Sequence, residues 1–154
     1  MENNLKVKGT YSFEIRDVNG DVRDSWSVDN LVVNGGLAFL SGLLNGTGTV
    51  PTYIALGTDS TAVAGTQVAL EAEIVDSGLE RAVGATSQVQ TTVANDSWQI
   101  TKTFTATGSK TIEEVGIFNN SSGGTMFSRA LTTSKALSNG ESIAVSYKAV
   151  FANS

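Results

Sequence analysis

Apolar and polar residues alternate along much of the chain, and this period of two predicts β-strands. Residues 6–17 (KVKGTYSFEIRD) and residues 143–151 (IAVSYKAVF) place large apolar side chains at most alternate positions. Residues 98–106 repeat the pattern, with mainly apolar residues on one face and mostly threonine on the other. Turn signals separate at least seven such runs. The sequence therefore predicts a mainly β fold, an antiparallel β-sandwich of Ig-like or jelly-roll-like type.

The first turn lies between residues 6–17 and a second alternating run, residues 22–28. Its Asn19-Gly20 pair predicts a hairpin with a type I′ turn, in which both residues have a positive φ. Asp17, Asn19 and Asp21 in this acidic turn also have the spacing of the oxygen ligands of a calcium loop. The glycine and glutamate that such a loop needs further along are replaced by valines, so the hairpin is favoured.

One segment has the period of a helix. Leu37, Leu40 and Leu44 recur at helical spacing after the possible capping residues 34–36, and an Asn-Gly pair follows the last leucine. This pattern predicts one short helix near residues 35–45, whose leucine stripe closes the end of the sheet core. Its polar face has no Lys or Arg to meet lipid headgroups, so contact with a membrane is not expected.

The middle of the chain is rich in Gly, Ala and Thr and is the least regular part of the pattern. Residues 53–56 predict a short strand, residues 57–67 a long surface loop, and residues 70–75 a short helix or strand. Residues 88–93 are predicted as a polar strand. Loops on a rigid sheet vary without cost to the core, so residues 57–67 are the expected place for a partner contact.

Composition narrows the function. With 154 residues, the chain is expected to form a single domain, 1–154, with a flexible N-terminal segment at residues 1–5. It contains no cysteine and no histidine, so the usual metal ligands other than carboxylates, the thiol nucleophile and the imidazole base are absent. We expect no catalytic residues, no metal and no cofactor. A net charge of −5 without a basic cluster argues against nucleic acid, and no apolar run is long enough for a membrane span.

The stretch TIEEVGIF, residues 111–118, carries adjacent carboxylates in an otherwise apolar strand. Neighbouring residues of a strand point to opposite faces, so Glu113, expected at the start of the strand, cannot form a catalytic pair with Glu114. A regular hairpin through NNSSGG brings Arg129 across from Glu114, and an ion pair within the chain is favoured over one with another subunit. Gly116 permits the close approach of a neighbouring strand or chain.

A second acidic stretch contains Glu71 and Glu73, which share a face if this part of the chain is a strand. That arrangement is the minimum for a glycosidase-like dyad or a site for a hard metal ion. A solvated acidic stretch with Arg81 as the counter-charge is the favoured interpretation.

The order of four phrases resembles a family of small virion proteins of tailed bacteriophages. The phrases are NLVVNGGLAFLSGLL, YIALGTDSTAVAGTQVALEAEI, QITKTFTATGSKTIEEVGIFN and GGTMFSRALTTSKALSNGESIAVSYKAVF, and together they cover nearly all of the chain. The resemblance implies a non-enzymatic β-rich module on a particle surface, made in the host cytoplasm. Its implied partners are further copies of itself, as a trimer or in a symmetric shell, together with the major capsid protein or a tail protein.

The resemblance also assigns family features to particular residues. Glu73 matches an L..E feature, Glu114 and Gly116 match an E.G feature, and Arg129 matches an arginine after the following turn. The chain departs from the family pattern in VDSGLE, which reads as an additional loop before Arg81.

Three functions remain open at this point. The first is a capsid decoration protein that reinforces the head surface. The second is a tail-fibre, adaptor or tail-tip subunit that contacts host glycans. The third is a glycan-active enzyme that works through Glu71 and Glu73.

Overall fold

The alternating runs of the sequence form the long strands of two antiparallel sheets in a computed structural model that describes residues 5–153. The N-terminal segment predicted to be flexible, residues 1–5, lies outside the described residues except for Leu5, which begins the first strand. The elements are β1 (Leu5–Arg16), β2 (Val22–Asp29), β3 (Leu31–Val32), α1 (Asn34–Leu44), β4 (Tyr53–Gly57), β5 (Ala82–Val83), β6 (Ala85–Val89), β7 (Ser97–Thr105), β8 (Lys110–Phe118), β9 (Met126–Leu137) and β10 (Ser142–Asn153).

The two sheets each contain five strands. The first sheet has the order β2-β1-β10-β7-β6, and the second has the order β3-β9-β8-β4-β5. β1 and β10 pair along their whole length, from Leu5 opposite Asn153 to Arg16 opposite Ser142. The inward faces of the sheets pack together, and this confirms the predicted antiparallel β-sandwich.

The core between the sheets contains the large apolar side chains of the alternating runs. Aromatic rings are central to it: Tyr11 and Tyr147 are fully buried with ring centroids 4.6 Å apart. Burial raises the pKa of Tyr147 to about 12. Trp26 and Trp98 pack against the same core from its margins, as their register predicts.

The turn between β1 and β2 differs from its prediction. Gly20 has a positive φ of 88°, but Asn19 does not, and Gly20 N–H donates to Asp17 O at 3.0 Å. The turn is therefore a type I turn followed by a left-handed glycine, the second common hairpin geometry, and not a type I′ turn. The hairpin itself is confirmed.

The helix also differs in which side it buries. It begins at Asn34 inside the predicted capping stretch, and Asn34 N–H donates to Gly65 O at 2.8 Å. Gly36 and Phe39 are its buried residues, and the helix approaches β9 so closely that a Cβ at Gly36 would collide with the Phe127 carbonyl oxygen. The predicted leucine stripe is wrong for two of its three members: Leu37 and Leu44 point away from the sandwich, with 55% and 93% of their surface exposed, whereas Leu40 packs against the core.

An irregularity in the β8–β9 ladder corrects the prediction for the acidic pair. The register shifts between Ile112 and Glu114, where the single β8 residue Glu113 lies opposite three residues of β9, 132–134. Glu113 is inside β8 and not at its start. The alternation of faces is interrupted at this place, so Ile112 and Val115 both face the core, and Glu114 faces outward from the sandwich.

The predicted polar strand at residues 88–93 lies earlier, because β6 ends at residue 89. The carboxylate of Asp96 accepts hydrogen bonds from the backbone N–H groups of residues 91–93, which form a turn instead. These hydrogen bonds hold the pKa of Asp96 well below its ordinary value.

At one side of the sandwich, side chains join the edge strand β2 of the first sheet to β9 of the second sheet. Lys135 Nζ lies 2.5 Å from Asp24 Oδ2 and 4.8 Å from the centroid of the Trp26 ring. Trp26 Nε1 donates to Thr132 Oγ1 at 2.6 Å. The hydrogen bond from Lys135 lowers the pKa of Asp24.

Candidate functional site: two ion pairs beneath a covering segment

The outward face of the second sheet is covered by residues 58–73, here called the covering segment. All of this segment is described, and it forms neither helix nor strand apart from one antiparallel bridge between Glu73 and Gly57. Thr58 N–H also donates to Ala72 O at 3.0 Å. The predicted surface loop at residues 57–67 is therefore packed on the sheet, and residues 70–75 are not the regular element that the sequence predicted.

The strongest contacts under the covering segment come from Glu114 and Arg129, both of which are fully buried. Arg129 Nε donates to Glu114 Oε2 at 2.8 Å. The same carboxylate accepts two consecutive backbone N–H groups of the covering segment, from Glu71 at 3.2 Å and from Ala72 at 2.8 Å. Three donors therefore surround the carboxylate, which is the condition for burying a charge without leaving it unsatisfied.

The pair is diagonal and does not join directly opposed residues. Leu131 lies opposite Glu114 in the β8–β9 ladder, and Arg129 lies opposite Gly116. The predicted contact is thus present within one chain, but it is diagonal: Arg129 lies opposite the residue two positions after Glu114 in β8, on the same face of the sheet. Gly116 contributes no side chain to that face and leaves space for Leu70 of the covering segment.

Arg129 holds the other end of the covering segment. Its Nη1 donates to Thr61 O at 3.0 Å and to Gln67 Oε1 at 3.1 Å. Nearby, hydrogen bonds from the Thr61 side chain and backbone lower the pKa of Asp59, and the charge of Arg129 adds to this effect. One ion pair therefore fixes residues 61–72 at several points along their length.

Two glycines make this close packing possible. A Cβ at Gly57 would lie 2.5 Å from Glu114 Cγ, and a Cβ at Gly116 would lie 2.9 Å from Leu70 Cδ2. The close neighbour predicted for Gly116 is therefore a segment of the same chain. Leu70 completes a small apolar cluster on this face, together with Val33, Ala55, Phe118 and Met126.

The second ion pair joins Glu73 and Arg81. Two hydrogen bonds connect the guanidinium and the carboxylate, Nε to Oε1 at 2.8 Å and Nη2 to Oε2 at 2.5 Å. Arg81 Nη1 also donates to the backbone oxygens of Asn120 and Gly123, and its guanidinium carbon lies 3.6 Å from the centroid of the Phe118 ring. Arg81 therefore connects the end of the covering segment to the β8–β9 loop.

The stretch VDSGLE, which reads as an additional loop in the sequence, closes one end of the sandwich. Leu79 is fully buried in the main core, and Ile74 is nearly so. Backbone hydrogen bonding between Thr107 and Ser77 fixes this stretch beside the turn that follows β7. It places Arg81 within reach of Glu73, so the favoured assignment of Arg81 as counter-charge agrees with this contact.

The alternative chemistry of the acidic stretch depends on a strand that does not form. Glu73 is occupied by Arg81, while Glu71 is exposed and accepts a hydrogen bond from Gln67 Nε2 at 2.7 Å. Within residues 5–153, no group of three acidic, His or Cys side chains is placed to hold a metal ion. None of the helices in this range is long and apolar enough to cross a membrane.

Sequence reasoning missed three contributors to this site: Gly57, Thr61 and Gln67. Their contacts with Glu114 and Arg129 join residues far apart in the chain, and no local pattern marks them. Comparisons of the chain with protein-family models, curated proteins and solved structures gave no match.

Proposed function

We propose that this chain is a non-enzymatic structural protein of a bacteriophage virion, bound to the outside of the capsid as a decoration protein. Two supports are independent of each other. The order of the four sequence phrases supports the phage assignment. The way in which the candidate site uses its charged residues supports a structural role.

One observation carries the structural part of the proposal. Three of the charged side chains that the sequence singles out, Glu114, Arg129 and Arg81, bind backbone groups. The Glu114 carboxylate accepts two N–H groups of the covering segment, and Arg129 and Arg81 together donate to three backbone carbonyls. A carboxylate that is fully buried and already accepts three hydrogen bonds offers no open position for a substrate.

This architecture suits a protein displayed in many copies on a particle. A long loop without secondary structure is normally a site of local opening and proteolysis. Here the loop is fixed by buried contacts, so the surface that it presents is rigid. Repeated display also multiplies weak individual contacts with the shell into stable attachment.

The second candidate is a tail-fibre, adaptor or tail-tip subunit that contacts host glycans. A shallow groove of about 620 Å³ on the outward face of the first sheet favours it. Ser12, Ser25, Thr101 and Thr103 line the groove beside Glu14. These hydroxyl groups stand on β1, β2 and β7 of one sheet, where a rigid scaffold can hold polar contacts to a sugar.

A reconstruction of purified particles tests both candidates. We expect density for the sandwich on the head shell of particles that contain the protein, and none at these positions in particles from which its gene is deleted. Density confined to the tail would refute the decoration role and favour the second candidate. Absence of the protein from purified particles would refute both.

A further inference from the structure

The helix α1 carries more apolar residues than the sandwich buries. Phe39 is buried and Leu40 is partly buried, whereas Leu37 and Leu44 are exposed on the other sides of the helix. A helix that is apolar around most of its circumference is normally covered on all sides. The outer side of α1 therefore has the composition of a covered surface.

An apolar groove lies beside the exposed leucines at the same end of the molecule. It has a volume of about 230 Å³, and its lining is almost entirely apolar. Its residues come from the helix, the loop after it, and both sheets: Phe39, Leu40, Leu43, Val50, Pro51, Trp98, Phe127 and Phe151. Leu44, which is 93% exposed, projects directly after the groove residue Leu43.

Charge identifies the kind of occupant. The chain has a net charge of −5, yet residues 30–58 contain no charged residue at all. A surface that binds lipid or nucleic acid normally carries Lys or Arg, and a surface that binds a basic partner normally carries acidic residues. Two copies of this acidic chain repel each other where their charged residues meet, so an uncharged surface is the one best suited to contact between them.

We propose that the outer side of α1 and the adjacent groove form a two-fold interface between two copies of this chain. In a two-fold interface the same patch serves both partners, so any projection on it must fit a recess on the same patch. Leu44 is the projection and the groove is the recess, and each copy inserts Leu44 into the groove of the other. This inference does not rest on a virion role, and it applies to the isolated protein.

The first test is the oligomeric state in solution. Leu44→Glu places a charge in the apolar recess of the partner, and the exposure of Leu44 makes it harmless to the folded monomer. Val68→Glu is the matched control, because Val68 is 76% exposed and lies in the covering segment, outside the patch. Analytical ultracentrifugation from micromolar to near-millimolar concentration measures dimer formation for all three chains.

We expect wild type and Val68→Glu to dimerise with increasing concentration, and Leu44→Glu to bind itself at least about tenfold more weakly. A wild type that stays monomeric throughout this range overturns the proposal. Equal dimerisation of the two variants also overturns it, since the contact would then lie elsewhere.

A second test examines the geometry and uses the absence of cysteine from the chain. Two variants are mixed under mild oxidation, one with Leu44→Cys and the other with Val50→Cys at the groove. Insertion of Leu44 into the partner's groove predicts that the mixed disulfide dimer forms faster than the Val50→Cys homodimer. Equal rates for the mixed dimer and that homodimer would overturn the proposed geometry.

Discussion

Glu114→Gln is the sharpest test of what holds the covering segment in place. The substitution preserves the shape of the side chain and removes its charge. Arg129 then remains as a buried cation, fully enclosed and without its 2.8 Å partner. In addition, the new amide group directs N–H donors toward Arg129 Nε or toward the backbone N–H groups of residues 71 and 72, all of which are donors themselves.

The expected cost follows from the burial. Removing one partner of a buried ion pair costs about 3–5 kcal/mol in the free energy of unfolding. For a chain of this length, each kcal/mol shifts the melting temperature by about 2–4 °C, so we expect a decrease of about 6–20 °C. Detachment of the covering segment would let water reach Arg129, which limits the loss to the free energy that this segment contributes.

Chemical denaturation followed by tryptophan fluorescence measures the global effect, and hydrogen exchange measures the local one. The amides of Glu71 and Ala72 donate to the carboxylate, so their protection from exchange should fall more than that of amides in the β1–β10 ladder. Asp29→Asn is the control, because the Lys8–Asp29 pair is 3.7 Å apart and about 70% exposed. We expect it to change stability by less than about 0.5 kcal/mol.

A double-mutant cycle decides whether the two charges act on each other. Glu114→Gln and Arg129→Gln should show a coupling energy toward the upper end of the range of about 0.5–3 kcal/mol that contacting residues give. Additive effects would refute the ion pair as the source of the stabilisation. A loss below about 1 kcal/mol in Glu114→Gln, with unchanged exchange at residues 71 and 72, would refute the role of the carboxylate as a backbone anchor.

Two further perturbations test the packing and the charge at other places. Gly57→Ala puts a methyl group against Glu114 and should lower the free energy of unfolding by about 1–3 kcal/mol. Gly42→Ala in α1 is the control, because its Cβ meets its nearest atom at an ordinary 3.4 Å and should stabilise the protein slightly. Equal effects of the two variants in thermal denaturation would contradict this reasoning. The lowered pKa of Asp24 means that its pairing with Lys135 contributes stability above the unfolded-state pKa, near 4, and that this contribution is lost as the pH falls through the lower folded-state pKa. The fluorescence of Trp26 should therefore change below about pH 4 while the far-ultraviolet circular dichroism is still native. Asp24→Asn should remove this change. A fluorescence change that persists in the variant would show that another group causes it.

The sequence predicts the first sheet well because that sheet has one buried face and one exposed face. In β10, buried residues alternate with partly exposed ones from Ser142 to Val150, and the polar–apolar pattern follows directly. The same logic identifies β1 and β7. Period-two reasoning depends on this contrast between core and solvent.

The second sheet is harder to predict because both of its faces are covered. Every residue of β4 from Ile54 to Gly57 is buried, and so is every residue of β8 from Glu114 to Phe118. Alternation carries little information about which residues are buried there. A carboxylate in such a strand suggests a catalytic role as long as the segment that covers it is unknown. At Glu113 one residue of β8 lies opposite three residues of β9, and the alternation is interrupted there, so Ile112 and Val115 face the same side.

The covering segment could not be predicted from local pattern because nothing local fixes it. Its hydrogen bonds to Glu114 and Arg129 join residues 42 to 68 positions apart. The hairpin turn of the sequence correctly brings Arg129 near Glu114. It does not indicate that the pair also binds the covering segment.

The choice of an ion pair over an apolar contact at this place has a physical reason. The covering segment is rich in Ala and Thr, and Leu70 is its one buried side chain. An apolar contact has no direction, so Leu70 alone would allow the segment to slide along the sheet. A carboxylate that accepts two consecutive N–H groups permits only one register, and a guanidinium that donates to a defined carbonyl and a defined side-chain oxygen fixes a second point. We therefore expect an apolar replacement of both charges to retain much of the stability, since such replacements of buried ion pairs are often neutral or stabilising. We also expect it to lose the single conformation of residues 58–73, because the hydrogen bonds that fix the register are removed.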